Sequence, residues 1–206
     1  VRVNPAGFPL SGVVRGKELS MGTTLADLLE EMGPEDVYIK GVNALDAEGT
    51  VGVLVGNRVE GGTMGRVTSA QRRKGFSLIF PVGLEKLIPG RIREVAKEAK
   101  KTKYDYSMGM NCGLLPCKGI TVTEPRAIEI LSGATAIPIA AGGLGGAEGA
   151  ITMVIKGDIE QVSKAIQYVE QCKGAKLPPV RTPDCESCTW DICDFPLTGK
   201  PWVSRS

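Results

Sequence analysis

The hydrophobic and polar positions of the chain follow two periods in turn. Apolar residues recur three and four positions apart over residues 23–33, 90–102, 123–133 and 158–174, which is the spacing of one helix face. Short apolar or alternating runs that predict strands lie between them: "DVYIKG", "TVGVLVG", "FSLIFPVG", "ATAIPIA" and "GAITMVIKG". Strands that alternate with helices predict an α/β fold, with a mixed, partly parallel sheet and flanking helices.

The ends of the predicted helices carry residues that favour helix termini. Thr23 or Thr24 is the expected N-cap of the first helix, and Thr123 with Pro125 begins the helix at 123–133. Asp158 is the expected N-cap of the last helix. The apolar residues of that helix predict a buried stripe, made of Ile159, Val162, Ile166, Val169 and Cys172.

The strand runs differ in how much burial they predict. "FSLIFPVG", residues 76–83, is nearly continuous in apolar residues, as is typical of a strand buried on both faces of a parallel sheet. "DVYIKG" and "TVGVLVG" predict two strands joined by a turn at residues 46–49. Residues 104–119 have no clear period.

These patterns predict one α/β domain over residues 1–176, and a further boundary near residues 103–120 is an alternative. Residues 177–206 contain five prolines and three cysteines but no periodicity. They predict an extended C-terminal tail, because such a segment cannot bury enough apolar surface to fold alone.

Composition then excludes several classes of function. The formal charge is only +2 and aromatic residues make up 5 %, so the sequence lacks the basic patch and stacking rings of a nucleic-acid binder. No apolar run is long enough to span a membrane, and we expect a cytoplasmic protein. The chain has no histidine, which excludes a His general base and His-ligated metals. Cys, Asp, Glu, Lys, Tyr and backbone amides remain.

Five of the six cysteines form two clusters that predict a metal site. A pair of nearby thiolates, completed by a second pair, suits zinc or an iron–sulfur cluster. The alternatives are disulfides or redox exchange, and inert thiols. Cys172 is expected to be a packing residue. The candidate ligands are Cys112, Cys117, Cys185, Cys188 and Cys193.

Glycine clusters predict sites where backbone amides meet an anion. "AAGGLGGAEGA" exposes Gly142, Gly143, Gly145 and Gly146, with a wide hairpin as the structural alternative. "EGGTMG" precedes a basic helix, where Gly62 and Thr63 are placed to bind an anion; the alternative is that Thr63 is the N-cap.

Polar residues after predicted strands are the candidates for chemistry. Glu148 is the carboxylate best placed for acid–base work, and a solvated loop charge is its alternative. Glu85 and Lys86 follow the apolar strand at 76–83, where ligands bind in open α/β sheets. Asn43 and Asp46 are ligand-binding candidates by the same argument, with a turn as the alternative.

Residues 37–88 contain the glycines and small polar residues of a known pattern. The matching positions in "VYIKGVNALDAEGTVGVLVGNRVEGGTMG" are Gly41, Asn43, Gly49, Gly56 and Gly62-Thr63. This part resembles the α/β family of ribose-5-phosphate isomerase, the CoA transferases and the regulatory subunits of initiation factor 2B. The resemblance implies a sheet with a ligand site at the strand carboxyl ends. It assigns no catalytic acid to a residue of this chain.

Three functions are compatible with these features. The first is an α/β protein that binds a small anionic metabolite, phosphorylated or carboxylated, and whose status as an enzyme stays open. The second is a zinc or iron–sulfur protein. The third is a non-enzymatic assembly module, and we expect a homo-oligomer.

Overall fold

The computed structural model describes residues 13–14, 17–18, 24–56, 60–99, 104, 106–109 and 111–175. The strands are β1 (Val13–Val14), β2 (Lys17–Glu18), β3 (Val37–Ile39), β4 (Ala44–Leu45), β5 (Val51–Val55), β6 (Ser77–Pro81), β7 (Gly113–Cys117), β8 (Ile120–Val122), β9 (Thr135–Ala141) and β10 (Ile151–Lys156). The helices are α1 (Leu25–Glu31), α2 (Gly62–Lys74), α3 (Ile92–Glu98), α4 (Glu124–Ser132) and α5 (Ile159–Cys172), with a 3₁₀ turn at Leu84–Lys86. The predicted α/β class is confirmed, with helices flanking sheets of both parallel and antiparallel strands. The tail at 177–206 lies outside the described residues.

A parallel sheet of three strands, in the order β3-β6-β8, forms one half of the main core. Ile79 of the central strand lies opposite Ile39 on one side and Ile120 on the other. Leu78 and Phe80 are buried, whereas Ser77 and Ile79 on the other face are only half-buried. The parallel strand predicted at 76–83 is therefore present, but it is fully buried on one face only.

An antiparallel sheet in the order β4-β5-β7 forms the other half. The turn at 46–49 joins β4 to β5, and Gly49 takes a positive φ of 78° there. The sequence predicted that the strand in "DVYIKG" leads into this turn. That strand is β3, which pairs with β6 in the parallel sheet, and the strand that leads into the turn is β4. The sequence pattern did not predict β7, whose Pro116 is tolerated because the strand lies at the sheet edge.

The main core lies between these two sheets and the first two helices. Apolar side chains from α2, β5 and β6 fill it, and α3 packs on β7 in a smaller adjoining cluster. The largest fully buried side chains are Phe76, Phe80, Met64, Ile92, Val51 and Val67.

A second core begins with α4. It consists of the antiparallel hairpin β9–β10, covered on one face by α4 and α5 around Ile128, Ala134 and Ala165. The pairing shifts by one residue between Thr152 and Met153, which marks a β-bulge. Because β7 and β8 both pair with strands of the first half, the change from one core to the other falls at Thr123 rather than within residues 113–122.

The predicted buried stripe of α5 is wrong for most of its members. Only Ala165 of this helix is buried, and Cys172 is exposed rather than a packing residue. A two-stranded hairpin is about 10 Å wide, too narrow to cover a whole apolar stripe. The exposed fractions are 80 % for Ile159, 50 % for Ile166 and 44 % for Val169.

Candidate functional site

The structure separates the predicted site residues into two places. Gly62 and Thr63 lie at the beginning of α2, where Gly62 is close to Val55 of β5, and Asn43 is hydrogen-bonded to Leu54 of the same strand. Glu85 and Lys86, in the turn after β6, lie beside the hairpin loop of residues 142–150.

The beginning of α2 presents amides that no side chain caps. Gly61 and Gly62 both have positive φ, 71° and 55°, which favours glycine at these two positions. The first helical hydrogen bond runs from the Gly65 amide to the Gly61 carbonyl at 2.8 Å. No side chain in the described part accepts a hydrogen bond from the preceding amides. The predicted N-cap role of Thr63 is therefore wrong: Gly61 is the N-cap, and Thr63 is an exposed residue of the first turn.

Asn43 is held by hydrogen bonds to β5. Its side-chain Oδ1 accepts a hydrogen bond from the Leu54 amide at 2.9 Å, and its own amide donates to Gly52 at 2.8 Å. A Cβ on Gly62 would lie 3.9 Å from Val55, the next residue of β5. The Oδ1 of Asn43 is thus committed to the strand, which leaves Nδ2 to donate to a ligand.

The charges near this helix start are mixed. The first turn of α2 contains no acidic residue and Arg66 is exposed one turn further along, but Glu60 is exposed directly before the N-cap Gly61. Arg72 and Arg73 lie in the last turn, about 15 Å away along the axis, so they do not belong to the site. Arg73 instead lies 3.9 Å from the Glu30 carboxylate.

The second place gathers carboxylates at the carboxyl end of the parallel sheet. Both side-chain oxygens of Glu124 accept a hydrogen bond from the Leu84 amide, at 3.1 and 3.0 Å. Glu85 lies 3.9 Å from Lys86 and packs beside Gly149. Glu124 was missed in the sequence, although an acidic residue just after a helix N-cap is a visible signal.

The glycine loop of the hairpin satisfies part of its own backbone. Gly142 donates to the Ala150 carbonyl at 2.8 Å, and Gly146 donates to the Glu148 carboxylate at 3.1 Å. Hydrogen bonds from the backbone amides of Glu148 itself and of Gly146 lower the pKa of that carboxyl.

Positive φ values at Gly142, Gly145 and Gly146 support the alternative of a wide hairpin turn. Gly143 faces Ala147 too closely to carry a side chain. Their ligand-binding role, and catalysis by Glu148, stay predictions.

Asp46 is a buried carboxylate with a structural role. Burial disfavours its charged form, but hydrogen bonds from the amides of Ile92, Thr50 and Glu48, and from the Thr50 hydroxyl, hold its pKa below the ordinary value. The Ile92 amide, 3.0 Å away, belongs to the first turn of α3. Asp46 therefore caps α3 from 46 residues away and fixes the turn that follows β4.

Two of the candidate cysteines are at the two ends of β7. Cys117 is buried at the end of the strand, where burial raises the pKa of its thiol to about 11. Cys112, which directly precedes the strand, is half-buried. Within the described residues no group of three or more Cys, Asp or Glu side chains is placed to hold a metal ion.

The metal hypothesis stays a prediction, because Cys185, Cys188 and Cys193 lie outside the described residues. A zinc or iron–sulfur site built on those three would need its fourth ligand from elsewhere.

Fold and site together define an α/β protein with an uncapped helix start beside an antiparallel sheet. Three comparisons, with family models, with curated proteins and with solved structures, find no match to this chain. None of the described helices is long and apolar enough to cross a membrane.

Proposed function

We propose that this protein binds a small anionic metabolite, phosphorylated or carboxylated, at the beginning of α2. The observation that carries the proposal is the first turn of this helix, where no side chain of the described residues caps the backbone amides and no acidic residue is present, although Glu60 directly precedes the N-cap. Helix amides and the positive end of the helix dipole attract anions. The Thr63 hydroxyl, Asn43 Nδ2 and the Arg66 guanidinium are the side-chain donors of this site. The cytoplasmic location predicted from the sequence remains part of the proposal.

Glu85 and Lys86 are not assigned to this anion site. Two carboxylates, on Glu85 and Glu124, lie at the turn after β6, where Lys86 is the lysine paired with Glu85. This excess of negative charge disfavours an anionic ligand there. If the protein is an enzyme, Glu85 remains the carboxylate to test, because it lies at the carboxyl end of the parallel sheet.

The change Thr63→Glu tests the proposal, since it places a carboxylate where the ligand's negative charge would bind. Inorganic phosphate, compared with potassium chloride at equal ionic strength, is expected to raise the midpoint of thermal unfolding of the wild type. The variant is expected to be slightly more stable without phosphate, by about 0.3–1 kcal/mol, because the new charge complements the helix dipole. It is expected to lose the shift that phosphate causes.

Ser69→Glu is the matched control, because Ser69 is exposed in the middle of the same helix and the change in net charge is equal. This variant should keep the phosphate shift. An equal phosphate shift in the wild type and in Thr63→Glu would refute the site, and no shift beyond that of potassium chloride in the wild type would refute phosphate binding.

A further inference from the structure

The hairpin of the second core has an open side. Its sheet contains β9 and β10 alone, so among the described residues no strand pairs with the outer edge of either. Each such edge presents a row of backbone amides and carbonyls. A two-stranded sheet is also only marginally stable without further partners.

The two edges differ in their capacity to pair. β9 contains Pro138, which has no amide hydrogen, and Pro138 adjoins the bulge. Proline and bulges are features by which proteins prevent pairing at an edge. β10 contains neither, and its one charge is Lys156 at the end of the strand. The edge of β10 is therefore the one suited to accept another strand.

One side of α5 faces the same direction as this edge. α4 packs over β9 and α5 over β10. Gln161 faces the end of α4, since a Cβ on Gly133 would lie 3.2 Å from its Nε2. By helical rotation of 100° per residue, Ile159 and Ile166 lie about 160° and 140° around α5 from Gln161, and Val169 lies about 80° around in the same direction; these three residues are here called the α5 flank. The α5 flank therefore lies on the side of the open edge of β10, away from α4.

We infer that the β10 edge and the α5 flank together form an interface with a second copy of this chain. In this arrangement β10 pairs antiparallel with its counterpart, which gives a four-stranded sheet of β9, β10 and the same two strands of the second copy. The two α5 flanks then pack against each other above that sheet. Such a pair has two-fold symmetry, in which one patch of surface binds its own copy.

Self-complementarity and size favour a second copy as the occupant. An antiparallel strand edge matches itself in its pattern of donors and acceptors. The three residues of the α5 flank are apolar, and the charged positions nearest to them on this side of the helix, Glu170 and Lys173, have opposite signs. β10, at six residues, and α5, at 14 residues, each extend about 20 Å. The β10 edge and the α5 flank together form one face. We compare the area of this face with that of protein interfaces that bury on the order of 800 Å² per partner, and it falls in that size range.

The change Ile166→Glu in the full chain tests this interface. Light scattering with size exclusion is expected to give twice the mass of one chain for the wild type at micromolar concentration. Because the variant places two carboxylates in an apolar contact at the two-fold axis, association is expected to weaken by about 100-fold or more. The variant should keep its helical circular dichroism, since Ile166 is half-exposed in the single chain.

Ile130→Glu is the matched control. Ile130 is exposed on α4 to a similar extent, 57 %, but does not lie on the α5 flank. This variant should keep the wild-type mass. Hydrogen exchange adds a second measurement: the amides of residues 151–156 should exchange more slowly in the wild type than in Ile166→Glu.

Several outcomes would overturn the inference. The inference is wrong if the wild-type chain stays monomeric at about 200 µM. It is also wrong if the Ile166→Glu variant keeps the mass of the wild type. A chain ending at residue 176 is compared with the full chain. If the shortened chain dimerises while the full chain stays monomeric, the tail is the occupant of this face, and a second copy is rejected as the occupant. None of these outcomes affects the phosphate test at Thr63.

Discussion

At the scale of single residues, Asp46 connects elements that are distant in sequence. Its carboxylate accepts hydrogen bonds from the amides of Glu48 and Thr50 in the turn after β4, and from Ile92 at the start of α3. Arg91, the N-cap residue of α3, makes no side-chain cap of its own. Asp46 therefore replaces a local N-cap, and a change there affects both elements.

We expect Asp46→Ala to lower the free energy of unfolding by about 2–3 kcal/mol, because it leaves several amides without an acceptor, one of them buried. Asp46→Asn keeps one acceptor oxygen and should cost about 1–2 kcal/mol. Urea unfolding at pH 7 measures both changes. Asp36→Asn is the control, since Asp36 is exposed and accepts one hydrogen bond from Gly33; a cost equal to that of Asp46→Asn would contradict the argument.

The pH dependence of this effect has a definite sign. The pKa of Asp46 in the folded protein is lower than the ordinary 3.8, so the folded state favours the charged form. The resulting stabilisation is complete well above pH 3.8 and is lost as pH falls through the folded pKa. The difference in stability between the wild type and Asp46→Asn should therefore narrow below about pH 4.

At the scale of elements, the sequence predicted helix ends better than helix faces. Thr24 and Asp158 are N-caps with complete capping boxes, and Gly133 ends α4 as predicted. These two capping boxes consist of residues within one turn, so the local sequence is sufficient for them, whereas the cap of α3 by Asp46 comes from a distant segment. The burial of the α5 stripe depends on how wide a sheet lies under the helix, and local spacing does not contain that information.

Asp158→Ala tests the contribution of the α5 capping box. The Asp158 carboxylate accepts from the Gln161 amide at 2.9 Å, and the Gln161 side chain accepts from the Asp158 amide at 3.1 Å. We expect a loss of about 0.5–2 kcal/mol in unfolding free energy. Lys164→Ala, at an exposed position inside the same helix, should stay within about 0.5 kcal/mol. A cost for Asp158→Ala no larger than for this control would show that the box contributes nothing.

The candidate site shows the same limit of local patterns. The sequence predicted Asn43, Gly62, Glu85 and Gly142 as candidates by the same argument, since each follows a predicted strand. The structure divides them, because β5 joins an antiparallel sheet with β7 while β6 joins the parallel sheet. Which sheet a strand enters is decided by distant partners, so the glycine pattern predicted the turns but not their grouping.

At the scale of the whole molecule, a direct polar link joins the two cores. Glu124, at the start of α4, accepts a hydrogen bond from Leu84 in the turn after β6. Gly149 of the hairpin loop lies beside Glu85 of the same turn. The turn at residues 83–86 thus contacts the second core through both its first helix and its hairpin.

Glu124→Ala is expected to loosen this link, at a cost of about 1–2 kcal/mol in unfolding free energy, because the part-buried Leu84 amide loses its acceptor. Hydrogen exchange should quicken at Leu84 and in α4, whereas β5 in the main core should be unchanged. Glu129→Ala is the control: Glu129 is exposed and pairs with Arg126 on the same helix, so its loss should cost less than about 0.5 kcal/mol. Equal exchange at Leu84 in both variants would count against the link.

Pro138 has a consequence for how far assembly can proceed. A sheet with two open edges can add copies at both and grow into a fibre, whereas a sheet with one open edge stops after a single addition. Pro138 and the adjoining bulge leave β9 a poor template, so joining through β10 ends in a finite pair with a blocked strand at each outer border. Replacing this one proline would remove a barrier to indefinite growth.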